Sequence, residues 1–426
     1  MLIFIIFVVF ITMICLNVPI AVALAITAIM GLVANEGSSA LVSVALDMYD
    51  GSTKFSLIAI PMFVLAGAIM NAGGVTDRLI NFVSAIIGFV RGGLAMVNIG
   101  VSLFFAEISG SAVADVAAMG SILIPQMKKR GYSAPLSAAV TSSSASLAII
   151  IPPSIPMILY ATSANTSVEQ LFVAGIVPGL MGAAGLMGVA YAFAVKYDLP
   201  VEEAFNWKRL KVTFIDALPA FTLPVIILGG IFGGFVTATE AAGLAVIAAF
   251  VVGLYYNQID LKHLKRAMLD GGMQTAVVML LVAASVVMGG FLTRAQVPQQ
   301  LAAEILSITS NKWLILLILN FLFLIIGFFL HSAAAIILVV PIIIPLIVAA
   351  GIDPIHFGLV VTLNLAIGQQ TPPVASVLIT SCAVARANIW EVSKVNIYFV
   401  AVLFAVLMIC TYVPSIPLFL VEYFYR

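Results

Sequence analysis

Apolar runs long enough to cross a membrane follow one another along most of this chain, with short polar clusters between them. A bilayer core of roughly 30 Å takes about 20 apolar residues per helix, so the length fits about ten to twelve spans. The polar clusters fall at the ends of the runs: Lys128-Lys129-Arg130 closes one, and Lys262, Lys265 and Arg266 open another. The stretch 296–310 differs. Leu301, Ile305 and Ile308 share one helical face with Gln300 and Glu304 opposite, which predicts a helix lying along the membrane interface. Composition points the same way, with 63% of the 426 residues hydrophobic and 8% charged. A soluble domain needs far more charge to cover its surface. Net charge is zero and the basic clusters are short, which argues against a nucleic-acid partner and leaves the lipid bilayer as the surrounding phase.

A duplication lies under this pattern. Ile124-Pro125, Gly131 and Pro152-Pro153 recur as Ile344-Pro345, Gly351 and Pro372-Pro373, each 220 residues on. Upstream, Gly67, Val75 and Leu79 match Gly289, Val297 and Leu301 at 222. A shared spacing over so long a stretch defines a repeated unit, 53–195 and 272–426, with scaffold helices expected in 1–52 and 196–271. Charge gives the orientation. Lys128-Lys129-Arg130 follows the first Ile-Pro, whereas the loop near 348–353 carries Asp353 and no Lys or Arg; conversely, 166–174 has only Glu169 where its counterpart has Arg386 and Lys394. By the positive-inside rule equivalent loops lie on opposite sides, so the repeat is inverted. The count of crossings closes if 313–350 enters and leaves on one side as a re-entrant hairpin after the interfacial helix. By symmetry 76–90 and 94–125 do the same from the cytoplasm. The fold class is therefore an all-α polytopic membrane protein of two inverted-topology repeats, with re-entrant helical hairpins and interrupted helices at 136–165 and 355–384.

Irregular backbone at membrane depth is tolerated where it is buried in protein or lines a watery cavity. The hairpin tips, Glu107–Ala112 and Gly327–Ser332, are two such places. The others are the Pro-Pro interruptions at 148–154 and 368–374, where two prolines remove donors and free carbonyls. Freed carbonyls with Ser and Thr hydroxyls are hard oxygen ligands suited to Na⁺, and half-helix N-termini favour an anionic substrate group. Glu107, Asp115, Glu240 and His331 are ionisable within apolar sequence, which is costly and points to function. Lys54 and Arg294 sit at segment ends and read as snorkelling anchors, and the Ser142–Ser146 run reads as close helix packing. Cys15, Cys382 and Cys410 lie in apolar stretches without pairing spacing and read as reduced structural thiols. The apolar N-terminus lacks a basic n-region and reads as a retained span. A phosphate loop, a metal-ligand cluster and a Ser/His/Asp arrangement are all missing, so neither ATP hydrolysis nor an intramembrane enzyme is expected.

At these residues the chain resembles the large membrane subunit (M, or DctM-like) of the TRAP family, the tripartite ATP-independent periplasmic transporters. The resemblance is carried by Asn17–Ala21, Ile60–Gly67, Asn71–Arg78, Ile108–Asp115, Ile151–Ser154, Thr237–Ala241 and Thr371–Pro373, and the stretch Gly368–Pro373 looks most like the sialic-acid branch. Glu107, Ala238 and His331 stand where relatives commonly have Gly, Pro and an acid. The resemblance implies a location in the bacterial inner membrane and an elevator mechanism coupled to Na⁺. It also implies a small four-helix membrane partner, supplied by a separate polypeptide, and a periplasmic substrate-binding protein that delivers a small organic acid. A stand-alone or proton-coupled carrier is the alternative.

One Na⁺ is expected per repeat, between its tip and its own interruption. In the second half the ligands are Gly327, Gly368, Thr371 and Val374, all but the threonine acting through backbone carbonyls. The 220 offset places the equivalent first-half positions at Glu107, Ala148, Ile151 and Ser154, joined by the tip serines Ser109 and Ser111. The substrate is expected between the two sites, at Gly110, Ser144, Ser332 and Asn364.

Overall fold

The computed structural model describes the backbone of residues 2–16, 18–202, 204–259, 261–372 and 374–425, and of these all side chains but those of 2, 15, 107–109, 261, 263 and 267. Apart from one isolated bridge between Arg91 and Val201, the ordered elements among these residues are helical. The apolar N-terminus is two helices, α1 (Leu2–Cys15) and α2 (Ile20–Glu36), parted just before Pro19, which has no amide to continue a helix.

From there the chain runs through α3 (Leu41–Ser52), a 3-10 turn (Phe55–Ile58), α4 (Ala59–Ala72) and α5 (Val75–Ile87). The first helical hairpin is α6 (Gly93–Ser109) and α7 (Ala112–Lys129), joined at Gly110 and Ser111. Gly110 has φ +58°, a left-handed conformation that a glycine adopts without strain. Next come α8 (Ala134–Ala145), a 3-10 turn (Ser146–Ile149), an irregular stretch and α9 (Ile155–Ala164). Neither α8 nor α9 reaches the length a bilayer requires, so the two halves cross as one interrupted helix. The long α10 (Val168–Lys196) completes this unit.

Two apolar helices follow, α11 (Trp207–Phe232) and α12 (Ala238–Tyr255). Then the element order of the first unit returns. After the long α13 (Leu261–Arg294) come α14 (Val297–Ile308), the hairpin α15 (Lys312–Phe329) and α16 (Ser332–Ala349), the interrupted pair α17 (Pro354–Gly368) and α18 (Ser376–Ala385), α19 (Ile389–Tyr412) and α20 (Ser415–Tyr425). Matched helices begin at Val75 and Val297, Ala112 and Ser332, Ala134 and Pro354, which keeps the offsets of 222, 220 and 220. The punctuation recurs too. Gly131 and Gly351 end the hairpins with φ +89° and +65°, and Asn165 and Arg386 follow α9 and α18 with φ +52° and +51°.

Among the described residues eight helices are long and apolar enough to cross a membrane, and the half-helices account for further apolar length. In α14 the face is as expected at Leu301 and Ile305, which are half-buried with Glu304 exposed, whereas Ile308 at the end is exposed. Packing sorts the helices into two groups. Helices α2, α3 and α4 pack on α13, with α12 on α4; the hairpins and interrupted helices pack on one another, α18 against α7 and α8, α16 against α9, and α15 against α17.

Candidate substrate cavity and helix breaks

Between these groups lies a cavity of about 470 Å³. One end is walled by Gly110, Ser111 and Ala112 of the first tip, the other by His331, Ser332 and Ala333 of the second. The interrupted helices contribute Ile149, Ile155, Pro156 and Gln369, and the remaining wall is Val64 of α4 with Met273, Gln274, Val277 and Val278 of α13. Helices α7 and α16 both start at this cavity, so two positive helix ends face it. Neither N-cap residue, Ser111 or His331, caps its own helix through its side chain. Among the described residues of the lining, His331 is the one ionisable side chain, and it is exposed to the cavity.

Each tip touches an interruption. A Cβ placed on Gly110 would sit 2.9 Å from the Pro153 carbonyl oxygen and 3.2 Å from the Ile155 nitrogen. In the second half, a Cβ on Gly368 would lie 2.6 Å from the carbonyl carbon of Gly327 and 2.9 Å from its oxygen. The two glycines therefore bring backbone against backbone where any side chain would hold them apart. Thr371 follows one turn later, and its hydroxyl donates to the Ile367 carbonyl at 3.0 Å. A hydroxyl that donates to a carbonyl keeps its lone pairs for a cation. Among the described residues no three His, Cys, Asp or Glu side chains converge, so a cation here would be held by neutral oxygens.

The remaining residues singled out from sequence divide three ways. Gly110, Ser111 and Ser332 line the cavity. Ala148, Ile151 and Ser154 are buried at the first break, where the Ser154 hydroxyl donates to the Ile149 carbonyl at 2.7 Å and caps α9; Val374 is exposed at the second. The side chains of Ser109 and Glu107, and all of Pro373, lie outside the described residues. Ser144 and Asn364 stand apart from the cavity. Ser144 accepts from Ser102 at 2.8 Å in a buried cluster with Asn98 and Thr141, and Asn364 donates to Asn320 at 2.7 Å, behind which Asn320 donates to Thr411. Both sit on helix faces turned toward neighbouring helices, where polar side chains hold the bundle together.

Three sequence readings change. Glu240 is exposed and closes a capping box with Thr237, its carboxylate accepting from the Thr237 amide at 2.8 Å, so it serves the start of α12. The Thr-x-x-Glu spacing carried that signal. Arg294 is bound into an ion-pair cluster with Glu36 at 3.1 Å and Asp47 at 3.5 Å, and Lys54 donates to the Thr162 carbonyl at 3.2 Å, so both join helices rather than reach for lipid headgroups. Sequence reasoning missed the glutamines. Gln274 and Gln369 line the cavity, while Gln370 reaches from the second interruption to the end of α8 and the start of the 3-10 turn after it. There it hydrogen-bonds to the hydroxyl and carbonyl of Ser142 and to the Ser146 hydroxyl, and Asn396 donates to the Gln370 carbonyl at 3.2 Å. The polar pair before Thr371-Pro372, in an otherwise apolar run, was the available signal.

The pattern of the family described as "Tripartite ATP-independent periplasmic transporter, DctM component" matches residues 7–416. The chain belongs to this family. It is 39% identical over 405 residues to the isethionate TRAP transporter permease protein DctMQ of Oleidesulfovibrio alaskensis, covering 95% of this chain and 64% of that protein. It therefore spans less than two thirds of that relative's length. It is 37% identical over 377 residues to the C4-dicarboxylate large permease protein DctM of Pseudomonas aeruginosa, covering 88% of each, and 37% identical over 385 residues to the sialic acid large permease protein SiaM of Vibrio cholerae, covering 89% of each. The solved YdaH transporter of Alcanivorax borkumensis shares the fold, with a TM-score of 0.65 at 14% identity over 88% of this chain and 89% of that one. As a TRAP large permease component, the chain is a multi-pass protein of the bacterial inner membrane. The family is one of transporter components and not of enzymes.

Proposed function

We propose that this chain is the permease subunit of a Na⁺-coupled importer that takes a small organic acid through the cavity between its hairpin tips. A small membrane subunit and a periplasmic substrate-binding protein complete the system. The observation that carries the reading is the meeting of both tips and both interruptions around one cavity, with Gly327 and Gly368 backbone to backbone beside Thr371. The positive ends of α7 and α16 suit an acid group, and Gln274, Gln369 and Ser332 suit the hydroxyl or carbonyl groups of its remainder.

Relatives are named for isethionate, C4-dicarboxylates, sialic acid and 2,3-diketo-L-gulonate, all small acids. Sialic acid is not favoured among them, since its permease is no more similar than the others. The second-half cation site is Thr371 with the carbonyls of Gly327, Gly368 and Val374. The first half offers carbonyls of Ala148 and Ile151 with Ser111 at the tip; Ser154 serves mainly as a cap. Bound there, Na⁺ supplies positive charge that draws the acid group between the tips. In this reading the hairpins and interrupted helices move as an elevator against the group built on α13.

The test is the Na⁺ concentration giving half-maximal uptake by the complete system in proteoliposomes. Thr371→Val keeps shape and removes one oxygen, a change worth about 1.5–3 kcal/mol, or roughly 10- to 150-fold in that concentration. An unshifted Na⁺ dependence in a folded variant would remove Thr371 from the site, and uptake independent of Na⁺ would leave proton coupling in its place.

A further inference from the structure

Two further cavities flank the central one, toward opposite ends of α13. The larger, about 560 Å³, lies between α4, α7 and the start of α13. The smaller, about 260 Å³, lies between the far half of α13, α16, the end of α9 and residues 47–57. The repeat relates the two. Gly67 lines the larger and Gly289 the smaller, 222 apart; Ala117 and Ser121 line the larger, Ile337 and Pro341 the smaller, 220 apart. Yet they differ in their relation to the central cavity. The larger shares Val64, Ala114, Ala117 and Gln274 with the central cavity, so the two adjoin. The smaller shares no described lining residue with it.

Two polar contacts cross beside the smaller one. The Lys54 ammonium donates to the Thr162 carbonyl at 3.2 Å, and the hydroxyls of Ser56 and Thr162 are hydrogen-bonded at 3.1 Å. Both run from the 53–58 segment to the last turn of α9, and so from one group of helices to the other. Asp47 in the same lining is paired with Arg294, and among the described lining residues Lys54 is the one cation. The basic cluster at the end of α7 puts the larger cavity on the cytoplasmic side and the smaller on the periplasmic side.

We propose that the smaller cavity is the periplasmic mouth of the transport path and that Lys54 is both its latch and its capture site for a carboxylate. The inference rests on the transport reading above. An ammonium held by a neutral carbonyl prefers an ionised acceptor when one is offered. An incoming acid therefore competes for Lys54, and winning it releases Thr162 and frees α9 to part from the 53–58 segment. The trigger is the anion itself, so the mouth opens when there is cargo to admit.

The experiment uses the full chain in membrane vesicles with its native cysteines replaced, carrying either Ser163→Cys in the smaller cavity or Ser121→Cys in the larger. Both are labelled with a membrane-impermeant maleimide from the side each faces. Lys54→Met should speed labelling at position 163 about three- to tenfold, the worth of one or two hydrogen bonds, and slow it at position 121. Ser56→Ala should act in the same direction more weakly, and Lys54→Arg should keep the parent rates. Millimolar succinate, compared with chloride at equal ionic strength, should speed labelling at 163 in the parent and have no effect in Lys54→Met. Equal rates in the parent and Lys54→Met would overturn the latch. A latch that responds to Lys54→Met but not to succinate would overturn the capture role. The transport reading is tested separately, by whether the rates at 121 and 163 change reciprocally when Na⁺ is added to the parent.

Discussion

At the scale of single residues, the contact of Gly327 with Gly368 is the tightest constraint in the candidate site. Gly368→Ala would place a Cβ 2.6 Å from the Gly327 carbonyl carbon, a distance relieved only by moving the hairpin off the interruption. The expected outcome is loss of uptake with a lowered Tm. Gly272→Ala is the control, because nothing lies within 4 Å of its Cβ and helix propensity gains about 1 kcal/mol; its uptake should stay at the parent level. A parent-like uptake in Gly368→Ala would separate this contact from transport. The glycines were legible as members of a tip and an interruption. Their meeting was not, because they lie far apart in the chain. The serines were less legible still. Ser111 and Ser144 look alike in sequence, yet one faces the cavity and the other Ser102, and which way a helix face turns is settled by its neighbours.

At the scale of elements, the two interrupted helices are tied together because Gln370 joins the second to the end of α8. Its amide fills the hydrogen-bonding groups of Ser142 and Ser146, all of them buried. Gln370→Leu would take the acceptor from the Ser142 hydroxyl and leave the Ser146 hydroxyl only its 3.4 Å bond to the Ser142 carbonyl, at about 1–3 kcal/mol for a buried group left unpaired. A clear fall in Tm is expected, while Gln369→Leu, whose hydrogen bonds are both 3.4 Å long, should fall less. Equal losses in the two variants would show that Gln370 is not the clasp. Helix ends were the most readable features at this scale. Asp353 caps α17 immediately before Pro354, and Ser133 caps α8 two residues before Pro135, both with their side chains, and polar residues before apolar runs mark such starts. The cap at Thr237 and Glu240 had the same signature, but a carboxylate in apolar surroundings drew attention to function first.

For the whole molecule, the charge asymmetry makes a definite prediction. The Lys128–Arg130 loop should face the cytoplasm and the Gly351–Pro354 loop the periplasm. Single cysteines in the two loops should label from opposite sides with an impermeant reagent; labelling from one side would refute the inverted orientation. The Lys128 ammonium donates to the Ala385 carbonyl at 3.1 Å, which ties the first hairpin to the second interrupted helix at that end. The two repeats are therefore interleaved: α18 packs on α7 and α8, and α16 on α9. Deleting either repeat should consequently leave no folded half.

What the sequence by itself determined is local and periodic. Apolar run length defined the spans, prolines and glycines placed the tips and breaks, and a constant spacing exposed the duplication. Each follows from backbone chemistry that acts within a few residues, or from counting. Only the tertiary structure decided which irregular segments meet. It set Gly327 against Gly368, Gly110 against Pro153, Gln370 against the end of α8, and Lys54 against Thr162, while turning Ser144 and Asn364 away from the cavity. Those outcomes depend on how helices far apart in the chain rotate and cross as they fill space. In a bilayer, where apolar faces are nearly equivalent, close packing of small residues and the pairing of buried polar groups make that choice.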